Sequence, residues 1–172
     1  MQPAHAEAGA IRGRVLDAGC GTGEHTLMAA GLGLDATGID LASRALRTAE
    51  DKARVRGRTA RFLRYDAREL ATFSEQFDTA LDCGLFHVLG GEVRTAYVAG
   101  LRTVLRSGRR CFLLCISDRE RGDWGTVHRA SRSDVEAAFS DGWRIDSVEP
   151  SAIHLIGDPG HVEAWLVALT RT

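Results

Sequence analysis

The chain has 172 residues, 44% of them hydrophobic and 26% charged, with a formal net charge of −1. That is one ordinary globular domain with a single well-buried core, too short for two and without the basic excess of a dedicated nucleic-acid binder. No apolar run approaches the roughly 20 residues that cross a bilayer, and Met1-Gln2-Pro3-Ala4-His5 does not open a signal peptide, so a cytoplasmic protein with no membrane partner is expected.

A helix from about Ala4 to Ile11 leads into a first strand at Val15-Leu16-Asp17. A glycine turn, Gly19-Cys20-Gly21-Thr22-Gly23, follows, and Thr22 to Ala30 reads as a helix closed by Gly31 and Gly33. Asp35 to Asp40 is a short strand ending in a carboxylate. Ser43 is placed to cap a helix running to about Val55, with Leu46, Ala49 and Ala53 on one face. Ala60 to Tyr65 forms a third strand, ending at Asp66, and a helical turn spans Arg68 to Ala71. Phe77 to Cys83 is the fourth strand. Glu92 to Leu105 is a helix with Val93, Ala96, Tyr97, Leu101, Val104 and Leu105 inward, closed by Ser107-Gly108. Arg110 to Ile116 is nearly all apolar, as expected of a strand buried on both faces. Ser133-Asp134-Val135-Glu136 has capping-box spacing and opens a short helix to Phe139. Trp143 to Val148 and Ala164 to Thr170 read as an antiparallel pair joined by a Gly/Asp/Pro loop. This alternation specifies an α/β fold over residues 1–172: a doubly wound Rossmann-like sheet, mostly parallel with an antiparallel C-terminal strand, helices on both faces.

The glycines at 19, 21 and 23 permit φ > 0 and let a ligand approach the backbone. They do not match G-x-G-x-x-G, and Glu24 at the start of the helix would repel a pyrophosphate. Open α/β sheets bind ligands beyond the carboxyl ends of their strands, and successive strands here deliver Asp17, Asp40, Asp66 and then Asp82-Cys83-Gly84 to that edge. A single strand-end Asp ordinarily caps a helix or closes a turn. Three in register after a glycine turn point to a nucleoside site.

Val15 to Gly23, Thr37-Gly38-Ile39-Asp40-Leu41, Tyr65-Asp66-Ala67 and the run from Phe77 to Leu89 resemble the successive motifs of class I S-adenosylmethionine-dependent methyltransferases. Within them the chain is similar to the small-molecule branch, the thiopurine- and tellurite-type and actinobacterial phenol or quinone enzymes. The resemblance implies that Asp17, Gly19, Cys20 and Gly21 hold the methionine part of the cofactor. It implies ribose on Asp40, adenine against Leu41 with its amine on Asp66 beside Ala67, and Cys83 and Gly84 along the sulfonium side. Members of this branch usually carry an aromatic N-terminal cover over the cofactor. Gln2-Pro3-Ala4 resembles the middle of that region, so the domain is expected to lack the cover.

A small-molecule acceptor with an O, S or N nucleophile is then expected. His87, just past the fourth strand, is either a general base or a group that supports the cofactor pocket. Trp124, on the loop after the fifth strand, either stacks an aromatic acceptor or plugs a core edge. Two rivals stand beside methyl transfer. One is a cofactor-binding remnant inactive without its cover or a partner; the other is a nicotinamide oxidoreductase, opposed by Glu24 and by the lack of a Ser/Tyr-x-x-x-Lys set. The four cysteines and six histidines show no C-x-x-C, H-x-x-H or H-E-x-x-H spacing, so no metal site is expected. Eight arginines and Lys52 between Arg44 and Arg68 face only three acids, a solvated helix face or an electrostatic footprint.

Overall fold

Short β-branched and apolar runs alternate with amphipathic segments along most of the chain, and each run becomes a strand whose two faces must both be covered. A computed structural model describes residues 9–125, 127–155, 157 and 160–172. In chain order the elements are β1 (Arg14–Ala18), α1 (Glu24–Gly31), β2 (Asp35–Asp40), α2 (Ser43–Val55), β3 (Arg61–Arg64), a 3₁₀ turn (Ala67–Thr72), β4 (Phe77–Cys83), α3 (Gly91–Val104), β5 (Leu105–Ile116), α4 (Arg132–Ala138), β6 (Trp143–His154) and β7 (His161–Arg171). They form one seven-stranded sheet in the order β3-β2-β1-β4-β5-β7-β6. Only β7 runs against the others, paired antiparallel with β5 and β6. Strand order reverses between β1 and β4, which sets the ligand crevice at their carboxyl ends.

Alternate residues of each strand feed opposite faces. Leu16, Ala80, Leu113 and Val167 join the larger core, closed by Tyr97, Val98, Leu101 and Val104 of α3 and by Val135 and Phe139 at α4. Val15, Leu81, Phe112 and Ala168 point the other way, under Ala29 of α1. Residues 111–116 of β5 are all buried, Cys111 and Cys115 among them as free thiols. The break read at Ser107-Gly108 is a bulge: Phe77 pairs with Leu105 and Thr79 with Arg110, so β5 bends out and Gly108 takes φ 74°.

Several local expectations are corrected. Gly9, Ala10 and Ile11 form a turn and bends instead of the end of a helix, and the rest of the Ala4–Ile11 expectation lies outside the described residues. Part of the Gly/Asp/Pro loop lies outside them too. α1 starts at Glu24, because Thr22 and Gly23 still belong to the turn. Ala42, not Ser43, is the N-cap of α2, and Asp40 supplies the side-chain acceptor at that entry. The capping box of α4 is Ser131 with Asp134, two residues before the one expected, and this register buries Val135 completely. Val93 and Ala96 are exposed along an open groove shared with Asp66, Arg68 and Glu69; Val98 and Gly100 face inward in their place.

Asp82 on β4 is fully buried and accepts from Tyr97 Oη (2.8 Å) and from the Leu85 and Phe86 amides (2.8 and 3.1 Å). It thereby ties α3 and the loop after β4 to the sheet centre. Tyr97→Phe leaves that carboxylate short of a donor and is expected to cost about 1–3 kcal/mol, a loss of several degrees in Tm. Urea and thermal denaturation measure it; an unchanged midpoint would show that the hydroxyl contributes nothing to the fold.

Candidate functional site

The turn after β1 is held by the strand beside it. Gly19 and Cys20 both donate their amides to the Ile39 carbonyl at 2.9 Å, while Gly23 donates to the Cys20 carbonyl at 2.9 Å. Gly19, Gly21 and Gly23 have φ of 71°, 52° and 81°, the left-handed region that side chains resist. At Gly23 a Cβ would also stand 2.7 Å from Ala49 and 2.8 Å from Phe62, so that glycine lets α2 close on the turn. At Gly21 a Cβ would meet nothing, which leaves the outer side of the turn open.

Two carboxylates grip the turn. Asp17 is 1% exposed and accepts from the Thr26 amide (2.9 Å) and Thr26 Oγ1 (2.6 Å), pinning α1 to β1. Burial raises its pKa to about 6 against those two bonds. Asp40 Oδ2 accepts from the Gly21 amide and Oδ1 from the Ala42 amide, both at 2.8 Å. Outside the turn, Lys52, the chain's one lysine, donates to Thr22 Oγ1 and Glu24 Oε1 at 2.8 Å. Arg56 also meets Glu24, whose pKa falls to about 2 through these hydrogen bonds. Glu24 therefore faces α2, its charge matched.

Beyond the turn lies a cleft of about 200 Å³, lined by Gly19, Ile39, Asp40, Leu41, Tyr65, Asp66, Ala67, Arg68, Leu85 and Leu89. Five of its residues were expected: Gly19, Asp40, Leu41, Asp66 and Ala67. Ile39, Tyr65, Leu85 and Leu89 fall inside the motifs given above without a role of their own, and Arg68 lies two residues past Asp66. Asp66 caps the 3₁₀ turn through the Arg68 amide and is forked by the Arg68 guanidinium, which holds its carboxyl below the usual range. Leu41 is half exposed at the rim.

The other expected residues stand apart from the cleft wall. Cys20 is buried against Gly38, and burial pushes its thiol far up. Cys83 ends β4, its thiol pushed up to about 11 by burial, and Gly84 follows with φ 102°, its amide on the Leu114 carbonyl (3.0 Å). His87 is 8% exposed; its Nδ1 accepts the Ile116 amide at 3.2 Å and its carbonyl accepts the His128 amide at 3.0 Å. Burial, then the Arg94 charge, lowers its pKa to about 4. Trp124 is half-buried against Gly122, and it is His128, further along the same loop, that reaches His87. Much of the Arg44–Arg68 charge is matched internally: Arg54 by Asp51, Arg56 by Glu24, Arg61 by Glu75 and Arg68 by Asp66.

The cleft suits an adenosine. A carboxylate offers about four acceptor positions, so Asp40 keeps two free after binding the Gly21 and Ala42 amides. Ile39, Leu41 and Leu85 supply apolar faces for a purine. Fold and site thus define a nucleoside-binding protein of the Rossmann-like class.

A family described as a methyltransferase domain matches residues 15–108. The chain belongs to the class I S-adenosylmethionine-dependent methyltransferases. It is 29% identical to 2-heptyl-1-hydroxyquinolin-4(1H)-one methyltransferase of Mycobacteroides abscessus, over 88% of this chain and 68% of the relative. An uncharacterised methyltransferase of Schizosaccharomyces pombe is 31% identical over 67% of this chain and 79% of its own. A solved structure from work on conversion of a disulfide bond into a thioacetal group during echinomycin biosynthesis is 36% identical with a TM-score of 0.84. It covers 95% of this chain and 77% of its own. The cofactor is S-adenosylmethionine, with S-adenosylhomocysteine as its product. Among the described residues no helix is long and apolar enough to cross a membrane.

Asp40→Ala removes the acceptor of the Gly21 and Ala42 amides and the free carboxylate positions that line the cleft. Saturation at 100 times Kd stabilises a native-state binder by about 2.7 kcal/mol. Thermal shift with S-adenosylhomocysteine is expected to lose most of this in the variant, and an equal shift in both proteins would remove Asp40 from the site. Asp17 yields a pH test. Its pKa is about 6 folded against an ordinary 3.8, so the folded protein takes up a proton first and stability gains as pH falls from about 6 to about 4. Asp17→Asn cannot make that gain, so urea midpoints of wild type relative to variant are expected to rise over that window; a constant difference would show an unshifted carboxyl.

Proposed function

We propose that the chain transfers a methyl group from S-adenosylmethionine to a small-molecule O, S or N nucleophile. The observation that carries the cofactor half of this reading is the Asp40 carboxylate. It bonds the Gly21 and Ala42 amides and still has lone pairs facing a purine-sized cleft. The acceptor half draws support from the relative named for a hydroxyquinolinone and from a formal net charge of −1, without the overall basic excess of a nucleic-acid binder. Asp17, Gly19, Cys20 and Gly21 serve the methionine part through the turn they build. Asp40 and Leu41 serve the ribose and adenine, Asp66 and Ala67 the adenine edge, and Cys83 and Gly84 the methyl side.

When bound, the sulfonium supplies an already activated leaving group, so the protein's work is alignment and exclusion of water. Gly19 and Gly21 leave the backbone of the turn bare for close approach, and the Ile39 carbonyl keeps it from shifting. Leu85 and Leu89 form the apolar wall beside it. The Asp66 carboxylate meets an adenine amine only by sharing its oxygens with Arg68, whose half-exposed guanidinium can swing aside at little cost. In this reading His87 and Trp124 serve the acceptor side, and the domain acts in the cytoplasm.

A thermal-shift panel with S-adenosylmethionine, S-adenosylhomocysteine, NAD and NADP tests the cofactor. Both adenosyl ligands are expected to raise Tm and the nicotinamides to leave it in place. Methyl-labelled cofactor offered with thiols, phenols, quinols and metalloid oxyanions then tests the acceptor. Cofactor binding without transfer to any of them would favour a binding protein over an enzyme.

A further inference from the structure

The histidine after β4 has a fixed tautomer. The Ile116 amide of β5 donates to His87 Nδ1 at 3.2 Å, so that nitrogen carries a lone pair and no proton. A neutral imidazole has one N–H, which must then sit on Nε2. Nε2 lies beside Gly84: a Cβ built there would stand 3.4 Å from His87 Cε1 and 3.9 Å from Nε2. The ring therefore presents a donor toward the carboxyl end of β4, and it has no lone pair there with which to take a proton.

Among the described residues the surrounding groups offer no substitute base. Cys83 at the end of β4 and Cys115 on β5 have thiols pushed up by burial to about 11 and about 12. Asp82 and Asp17 are sealed and committed to Tyr97, the Leu85 and Phe86 amides, and Thr26. Arg94 of α3 donates through Nε to the Leu89 carbonyl at 2.8 Å and stacks 4.5 Å over Phe86, placing a cation in the same wall. Asp134 of α4 and His128 face each other at 3.8 Å, and Asp134 also acts on Arg94. Among these groups His87 contributes a neutral donor and Arg94 a cation whose charge Asp134 partly offsets.

We infer that His87 donates its Nε2–H to the methyl-accepting oxygen of an acidic hydroxyl compound that enters the site already ionised. This rests on the methyl-transfer reading above and narrows its acceptor to an oxyanion. The acceptor's proton leaves to water before binding. One oxygen lone pair then forms the O–CH₃ bond while the C–S bond breaks and its electron pair stays on sulfur, giving an ether and a neutral thioether with no proton for the protein to remove. The buried His87 ring, with its pKa near 4, remains neutral throughout the working range, and Arg94 favours the anion over its conjugate acid.

The test uses 4-nitrophenol, whose ionisation is read by absorbance, on the S-adenosylhomocysteine-loaded protein. Its phenol–phenolate midpoint is expected to fall by about one pH unit on binding, a tenfold preference for the anion. His87→Asn retains an acceptor for the Ile116 amide but loses the outward donor, and is expected to abolish most of that shift. His87→Gln, whose amide nitrogen reaches the Nε2 position, is expected to retain most of it. Calorimetry with S-adenosylhomocysteine checks that both variants stay folded and loaded. The ring ¹⁵N spectrum of the wild type is expected to report the Nε2–H tautomer from about pH 5 to about pH 9. Four results would each overturn the inference: a midpoint that rises or stays, equal loss in both variants, a ring that titrates in that range, or no binding of 4-nitrophenol by the loaded protein. Failure of the wild type to bind S-adenosylhomocysteine would strike the methyl-transfer reading itself.

Discussion

One carbonyl anchors the ligand end of the molecule. Ile39 O, at the carboxyl end of β2, accepts from both Gly19 and Cys20, and so fixes where the chain turns after β1. Two carboxylates complete the restraint from opposite sides, Asp17 through Thr26 and Asp40 through Gly21. A backbone segment with three left-handed glycines has little intrinsic preference for one shape, so its order comes from these partners. Move β2 by one residue against β1 and the carbonyl, the Asp40 carboxylate and the floor of the cleft all leave their positions together.

The same register explains the small residues around the turn. Gly38 pairs with Asp17 across the β1–β2 ladder, and a Cβ at Gly38 would lie 2.6 Å from Thr26 Oγ1 and 2.8 Å from Cys20 Sγ. Its absence lets α1 settle close enough for Thr26 to satisfy Asp17. Behind the turn, Lys52 and Arg56 draw α2 in through Glu24. These exposed ion pairs contribute little free energy individually. Their value is geometric: Lys52 touches Thr22 and Glu24 at once, so the open side of the turn faces the cleft and the closed side faces α2.

Electrostatics divides the site into two halves. Toward β2 and β3 the cleft carries two hydrogen-bonded carboxylates, Asp40 on backbone amides and Asp66 on Arg68, whose guanidinium holds the Asp66 carboxyl below the usual range. Toward β4 and β5 burial keeps His87 neutral and the thiols of Cys83 and Cys115 protonated, with the Arg94 cation beside them. In the proposed function the first environment receives the hydroxyl-rich nucleoside. The second receives the sulfonium, whose displacement loses charge as it proceeds.

Local chemistry in the sequence determined the order of elements, the glycine turn, the acids at the ends of the first three strands and the burial of residues 111–116. Each of these is set by strand periodicity, positive φ or continuous hydrophobicity, properties of a few adjacent residues. Helix entries were less legible, because Ser131 and Ser133 both stand three residues before an acid and only the burial of Val135 chooses between them. Roles decided by distant partners required the tertiary structure. Asp17, Asp40 and Asp66 look alike as strand-end acids, yet one is sealed on Thr26, one bridges two amides and one is forked by Arg68. Base and donor are likewise indistinguishable for His87 in the chain itself. The proton's position on that ring follows from Ile116, 29 residues away and brought beside it by the β4–β5 pairing.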